Sequence, residues 1–141
     1  MTPQRVSLIT LGTADIDRSR AFYAALGWEP VPSSPEVVFY QLDGIVLRLF
    51  GLDSLAKDQG RPDAKLGTGA TTLAQNFSDC ASVDDAFAKA TAAGGTPLKQ
   101  PEEVFWGGYS GYYADPDGHV WEVAHNPFWE LDAGGRITIP A

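Results

Sequence analysis

Short apolar runs alternate with two amphipathic segments along the chain, and glycine, proline or aspartate bounds most of the runs. β-Branched and aromatic residues are common in the runs, which is typical of strands. The first amphipathic segment places Phe22 and Leu26 one helical turn apart, and both segments end at glycine, as many helices do. The pattern predicts strands at 6–11, 37–42, 45–50, 70–77, 96–98, 109–114 and 119–124, and helices at 16–26 and 82–93.

Turn residues indicate how these elements are joined. Asp43-Gly44 lies between two β-rich runs and predicts a hairpin. The sequence DPDG at 115–118 has proline second and glycine fourth, which suits a type I turn, so it predicts a second hairpin. Asp15 is expected to cap the first helix, because its carboxylate can accept hydrogen bonds from the first turn.

The two halves of the chain resemble each other. AFYAALG at 21–27 and AFAKATAAGG at 86–95 each form the end of a predicted helix that follows a strand. We interpret this as a duplicated β-α-β-β-β unit. The alternative is one α+β domain whose helices look alike because alanine and phenylalanine are common. The predicted fold class is therefore α+β, with tandem βαβββ modules that form a curved mixed-sheet cleft with the helices on the outer face.

The predicted organisation is a single domain over residues 1–141. Module one covers about 5–50, and a linker at 51–69 loses apolar periodicity and gathers glycine, aspartate and lysine. Module two covers about 70–126. A C-terminal tail at 127–141 carries a candidate terminal strand at 136–139.

Composition and charge narrow the classes of partner. The 141 residues are 44% hydrophobic and 20% charged, which is ordinary globular composition. Ten basic residues against 18 acidic ones give a net charge of −8, which disfavours nucleic acids and anionic membranes as partners and leaves a cationic ligand open. The single Cys80 excludes an internal disulfide framework. No signal peptide or spanning segment is recognised, so we expect a cytoplasmic protein.

Two strings carry a resemblance to a known family. ADIDRSRAFYAALGW at 14–28 follows the first strand, and DPDGHVWEV at 115–123 comes near the end. In this order they resemble the vicinal oxygen chelate superfamily, which includes glyoxalase I, extradiol dioxygenases, fosfomycin resistance enzymes and bleomycin-binding resistance proteins. The resemblance covers about residues 5–126. It implies a glyoxalase-like domain but does not select one chemistry, because one fold hosts many functions.

The resemblance also implies four metal-ligand positions, one each on the first, fourth, fifth and eighth strands. They fall on Leu8, Phe50, Thr72 and Glu122, with Gln75 as an alternative register for the third. Leucine and phenylalanine cannot donate an electron pair, and a lone carboxylate holds a divalent ion poorly. We therefore expect no cofactor, and a divalent metal is disfavoured.

A second set of candidate ligands is His119, Glu122 and His125, spaced three apart. This run follows a turn and is predicted to be a strand, in which alternation places both histidines on the face opposite Glu122. We expect the histidines to make local hydrogen bonds instead of holding a metal.

Strand alternation from the four family positions predicts the lining of the cleft. Tyr112 should lie opposite Glu122 across the second hairpin, with Ser110 beside it. The resemblance to fosfomycin resistance enzymes implies that this serine and this tyrosine help to hold a substrate. Trp106 is expected at the rim, where Gly107-Gly108 allows either close backbone approach or a mobile lid. The predicted ligand-binding residues are Arg48, Phe50, Thr72, Trp106, Ser110 and Tyr112, with Glu122 as the candidate catalytic residue.

Several of these residues have alternative roles. Arg48 can form an ion pair with Glu122, and Glu122 can act as a general base. Trp106, Tyr109 and Tyr113 can be core or interface aromatics instead of ligand contacts.

Three functions follow from these roles. The first is a small-molecule-binding protein with a degenerate metal site, whose ligand is aromatic or largely apolar, with a cationic one left open. The second is a glyoxalase- or dioxygenase-like lyase, isomerase or oxidoreductase that uses Glu122. The third is a structural dimerisation module, and a homodimer is the expected assembly.

Overall fold

The structure, a computed structural model, describes residues 1–32 and 34–141, which form two compact units, 1–68 and 69–141. The predicted α+β class is confirmed. None of the helices in the described residues has the length and apolar content needed to cross a bilayer. The elements are β1 (Leu8–Thr13), α1 (Ile16–Ala25), β2 (Val37–Gln41), β3 (Val46–Gly51), α2 (Leu52–Asp58), β4 (Thr72–Asn76), α3 (Cys80–Ala92), β5 (Thr96–Glu103), β6 (Tyr109–Ala114) and β7 (Val120–His125).

The first unit contains a three-stranded sheet in the order β1-β3-β2, with β3 parallel to β1 and antiparallel to β2. Helix α1 packs against β2 and β3 and buries Phe22 and Tyr23. Because side chains alternate along a strand, the buried residues of the sheet share the face towards α1. These residues are Leu11, Val38, Tyr40, Leu47 and Leu49.

The start of α1 depends on the predicted cap. Asp15 Oδ1 accepts a hydrogen bond from Arg18 N at 3.1 Å, so the cap is confirmed. Asp15→Ala should lower the free energy of unfolding by about 1 kcal/mol, because an amide of the first turn loses its partner. Urea denaturation measures this. Asp63→Ala, at an exposed aspartate of the same unit, is the control and should stay within about 0.5 kcal/mol of the wild type.

The second unit follows the predicted order β-α-β-β-β. Its four strands are arranged β4-β7-β6-β5, with β4 parallel to β7 and the other pairs antiparallel. Helix α3 packs on this sheet through Val83, Phe87 and Ala90, which are buried. Tyr113 and Trp121 are buried and, by alternation, lie on the face towards α3. The opposite face of this sheet carries Ser110, Tyr112 and Glu122, and we call it the open face of the second sheet.

The predicted linker at 51–69 begins with a helix, α2, that the sequence analysis did not predict. Helix α2 contacts β1 and β3. A Cβ atom placed on Gly12 would lie 2.7 Å from Leu52 Cδ2 and 3.3 Å from Leu55 Cδ2, so the helix packs closely over this glycine. The helix forms because Leu55 is buried and Leu52 half-buried against a strand that is distant in sequence, not because of a strong local pattern.

Several predictions about strands also need correction, and β1 begins at Leu8 instead of residue 6. Strand β5 does not end at residue 98 but continues to Glu103, with register shifts between Pro97 and Lys99 and between Lys99 and Glu102. In the described residues between α1 and β2, the first unit has a single bridge, from Val31 to Phe39, instead of a further full strand. The candidate terminal strand at 136–139 likewise reduces to one bridge, from Leu131 to Ile137.

Candidate functional site

The face of the first sheet opposite α1 carries Arg48, which is held by its neighbours. Arg48 Nε donates a hydrogen bond to Thr10 Oγ1 at 2.9 Å, and these two residues are partners in the β1–β3 register. The guanidinium carbon lies 4.9 Å from the centre of the Phe50 ring, a cation–π distance. Arg48 and Phe50 therefore share a face, as strand alternation predicted.

Arg48 also has a partner that the sequence analysis missed. Its Nη2 atom lies 3.8 Å from Asp58 Oδ2, at the end of α2. The signal that could have found α2 is the spacing of Leu52, Leu55 and Ala56, which fits one face of a helix. The alternative pairing of Arg48 with Glu122 would join residues of the two units and stays a prediction.

The open face of the second sheet brings Tyr112 and Glu122 together. They are partners in the antiparallel β6–β7 register, which confirms the predicted alignment. Tyr112 donates a hydrogen bond from its hydroxyl to Glu122 Oε2 at 3.2 Å. Both side chains are half-buried. Burial, followed by the charge of Glu122 and this hydrogen bond, raises the pKa of Tyr112 above the usual tyrosine value, so the phenol keeps its proton at neutral pH.

Ser110 lies beside this pair, two residues before Tyr112 on β6, and is only 4% exposed. None of the side-chain hydrogen bonds formed by the described residues involves its hydroxyl. Its oxygen is not among the fully buried, unpartnered side-chain atoms of the described residues, so it keeps some access to solvent. Ser110 is therefore a ready hydrogen-bonding group on the same face as Glu122.

The remaining predicted ligand-binding residues of this unit are more exposed. Thr72 opens β4 opposite Val120 and is exposed. Trp106 is 41% exposed in the turn before β6, and its ring lies against Gly108, where a Cβ atom would overlap it. Gly108 thus leaves room for the Trp106 ring, and the place of Trp106 at the rim of a cleft stays a prediction.

Two predicted alternatives concern Tyr109 and Tyr113. Tyr113 is a core residue, 2% exposed. Tyr109 donates a hydrogen bond to Asp84 Oδ1 at 2.6 Å, which is the main reason that its pKa rises to about 12. The odd-numbered tyrosines of β6 thus face away from Tyr112, as strand alternation requires.

The donor atoms at the four family positions do not fit a metal ion. Leu8 and Phe50 offer hydrocarbon, Thr72 a neutral hydroxyl and Glu122 one carboxylate. Divalent ions in proteins are bound by several carboxylate, imidazole or thiolate donors. In residues 1–32 and 34–141, no group of three or more histidine, cysteine, aspartate or glutamate side chains could hold a metal.

The two histidines near Glu122 are part of the strand and turn structure. His125 Nδ1 lies 3.0 Å from the carbonyl oxygen of Phe77, so its ring is hydrogen-bonded, although to a residue that is distant in sequence and not to a local group. His119 donates its backbone N–H to Asp115 Oδ1 at 2.9 Å, within the DPDG turn. These contacts stabilise the end of β4 and the turn before β7.

Comparison with known proteins identifies the family. Residues 5–123 match the model of the Glyoxalase/Bleomycin resistance protein/Dioxygenase superfamily. The structure resembles that of a glyoxalase-related enzyme from Fulvimarina pelagi, with 39% identity over 99% of this chain and 100% of that one and a TM-score of 0.92.

Two further solved structures are more distant. Lactoylglutathione lyase from Agrobacterium tumefaciens is 26% identical, with a TM-score of 0.70 over 93% of this chain and 100% of that one. A glyoxalase/bleomycin resistance protein/dioxygenase family enzyme from Burkholderia phytofirmans PsJN is 22% identical, with a TM-score of 0.74 over 84% of this chain and 96% of that one. A search of curated proteins found no match. From the family match and the likeness to the Fulvimarina enzyme, the chain belongs to the glyoxalase/bleomycin resistance protein/dioxygenase superfamily.

Proposed function

We propose that the protein binds a small aromatic or largely apolar compound on the open face of the second sheet, without a metal ion. The observation that carries this proposal is the half-buried Tyr112–Glu122 pair beside the unpartnered hydroxyl of Ser110. Binding sites of this kind combine an apolar surface with a few polar groups that orient the ligand. Ala74, which is exposed, and Val120, which is half-buried, lie on the same face by alternation and supply apolar surface.

The chemistry of the donor set supports binding without a metal. A metal centre would need ligands where the chain has Leu8 and Phe50. Glu122 instead accepts a hydrogen bond from Tyr112, which orients its carboxylate. We therefore propose that the metal site of this chain is degenerate and that Glu122 serves as a hydrogen-bonding group for the ligand.

A second candidate function is a lyase or related enzyme. Two structural relatives are named as a glyoxalase-related enzyme and as lactoylglutathione lyase, which favours catalysis in the family. In this chain Glu122 would be the general base, since it is the carboxylate on the open face nearest to Tyr112. Turnover that requires an added metal would favour this candidate over the first.

The test is ligand binding by the metal-free protein. Protein treated with a chelator and desalted is titrated with benzamide, benzyl alcohol and indole, and amide chemical shifts locate the contacts. We expect saturable shifts on β6 and β7 that are unchanged after incubation with zinc, manganese, nickel or ferrous iron. Elemental analysis of the same samples should find far less than one metal ion per chain.

Two matched variants show whether the open face is responsible. Tyr112→Phe and Tyr109→Phe each remove a hydroxyl that donates to a carboxylate, but only Tyr112 lies on the open face. Tyr112→Phe should weaken benzamide binding about three- to tenfold, since Glu122 loses the donor that orients it. Tyr109→Phe should leave it unchanged. Binding that appears only with bound metal, or equal effects of both variants, would contradict the proposal.

A further inference from the structure

Within the second unit, the carboxylate of Glu122 has no positive partner. The hydroxyl of Tyr112, a neutral donor, is its hydrogen-bond partner, and no ion pair among the described residues includes Glu122. The nearest basic residue in the strand register is Lys99, which lies opposite Tyr112 on β5. Its ammonium pairs with Glu102 Oε1 at 3.3 Å. The open face therefore carries one negative charge that its own unit does not compensate, in a half-buried position where charge interactions are stronger than in water.

Most of the polar atoms on this face that have no partner are hydrogen-bond acceptors. Tyr112 uses its only proton in the hydrogen bond to Glu122 Oε2, and Glu122 Oε1 accepts no hydrogen bond from the described residues. The hydroxyl of Ser110 has no partner and can also accept. A ligand that is complementary to these acceptors and to the charge of Glu122 has N–H donors and a positive charge.

The spacing of the two acceptors favours a head group with more than one nitrogen. Ser110 and Glu122 are diagonal neighbours on paired strands, because Tyr112 faces Glu122 and Ser110 faces Ala124. Diagonal neighbours on adjacent strands lie about 7–8 Å apart at Cα. A planar amidinium or guanidinium directs N–H groups from two nitrogens outward and binds carboxylates in a fork, whereas a single ammonium is a point charge.

We infer that the ligand of the open face carries an amidinium or guanidinium head, bound by Glu122 and Ser110, on a flat apolar body. This inference rests on the proposed function and names the class of compound that the same face binds. The positive head compensates Glu122 at the position where the family resemblance implies a metal ligand. The apolar body lies over Ala74, an exposed small side chain that is the register partner of Glu122 on β4.

The test compares three probes of nearly the same shape, benzamidine, benzamide and benzoate, at neutral pH in moderate salt. Benzamidine should bind at least about tenfold more tightly than benzamide, and benzoate should bind most weakly. Glu122→Gln keeps the size of the side chain and should abolish the preference for benzamidine. Ser110→Ala should weaken benzamidine severalfold more than benzamide. Glu130→Gln, at an exposed carboxylate of the same unit, is the control and should keep the preference.

Each outcome separates this inference from the proposed function. If benzamide or indole shifts amides of β6 and β7 while benzamidine binds no better, the inference is wrong and the proposed function stands. Benzamidine that keeps its preference in Glu122→Gln binds elsewhere, which also overturns the inference. If none of these compounds contacts the open face, both fail.

Discussion

Tyr40→Ala should lower the free energy of unfolding by about 3–5 kcal/mol, whereas Tyr40→Phe should raise it by about 1 kcal/mol. The buried aromatic ring explains the loss of stability in Tyr40→Ala. Tyr40 is 1% exposed, and its ring centre lies 6.0 Å from that of Tyr23 and 5.6 Å from that of Trp28. Truncation to alanine leaves a cavity where these aromatic rings meet between α1 and the sheet.

The hydroxyl group of Tyr40 explains the gain of stability in Tyr40→Phe. Tyr40 has a buried hydroxyl oxygen with no hydrogen-bond partner among the described residues. Burial raises the pKa of Tyr40, partly offset by the charge of Arg20, which fits a phenol removed from water. Because folding desolvates this group without replacing its hydrogen bonds to water, its removal should stabilise the folded state.

Urea denaturation of the variants measures both effects. Tyr112→Phe is the comparison, because Tyr112 has a hydroxyl with a partner, Glu122, and should be neutral or lose up to about 1 kcal/mol. A loss in Tyr40→Phe as large as in Tyr112→Phe would show that the hydroxyl of Tyr40 has a partner in solution. A small loss in Tyr40→Ala would mean that the aromatic cluster is not part of the core.

The hairpin that carries the candidate site could be predicted from the sequence because its signals are local. The DPDG turn fixes where β6 ends and β7 begins, and a turn of fixed length sets the register of a hairpin. That register places Tyr112 opposite Glu122. Period-two alternation then gives the shared face of Ser110 and Tyr112.

The partners of Arg48 could be predicted only in part. The shared face of Arg48 and Phe50 followed from strand alternation, whereas the contact with Thr10 depends on the pairing of β1 with β3, which the sequence analysis did not predict. The contact with Asp58 was not predicted either, because it depends on α2, a seven-residue helix that is too short to be stable alone. Its packing over Gly12 is a contact of long sequence separation that no local pattern reveals.

The length of β5 also depends on contacts beyond the local sequence. Its two prolines, Pro97 and Pro101, argue against a strand, since proline cannot donate a hydrogen bond to a neighbouring strand. The strand forms because it lies at the edge of the sheet, where it pairs only with β6, and because register shifts absorb the irregularity. The length of β5 is therefore set by its pairing with β6 at the edge of the sheet, and not by the strand propensity of its own residues.

Gly111→Val should destabilise the protein by about 3 kcal/mol or more, because β5 crosses closely over this glycine. A Cβ atom on Gly111 would lie 2.9 Å from the carbonyl oxygen of Lys99 and 2.9 Å from both the backbone nitrogen and Cγ of Pro101. Two of these three atoms are backbone and cannot rotate away as a side chain can. The backbone of β5 must therefore move, and its pairing with β6 must weaken.

Gly69→Ala is the matched control, because a Cβ atom there meets nothing within 4 Å. It should be neutral or slightly stabilising, since alanine restricts the unfolded chain. Thermal and urea unfolding give the stability, and hydrogen exchange should show faster exchange of the β5 amides in Gly111→Val. A Gly111→Val protein within about 0.5 kcal/mol of the wild type would show that β5 does not hold this position in solution.

Gly111→Val should also affect ligand binding at the candidate site. Gly111 separates Ser110 from Tyr112 on β6, so a shift of the backbone at this point moves the two hydroxyls relative to Glu122 on β7. At a temperature where the variant remains folded, it should therefore bind benzamidine less tightly than the wild type, whereas Gly69→Ala should bind it equally well. Loss of stability with unchanged binding would mean that β6 is positioned by β7 alone, and that the edge strand contributes to the core without shaping the open face.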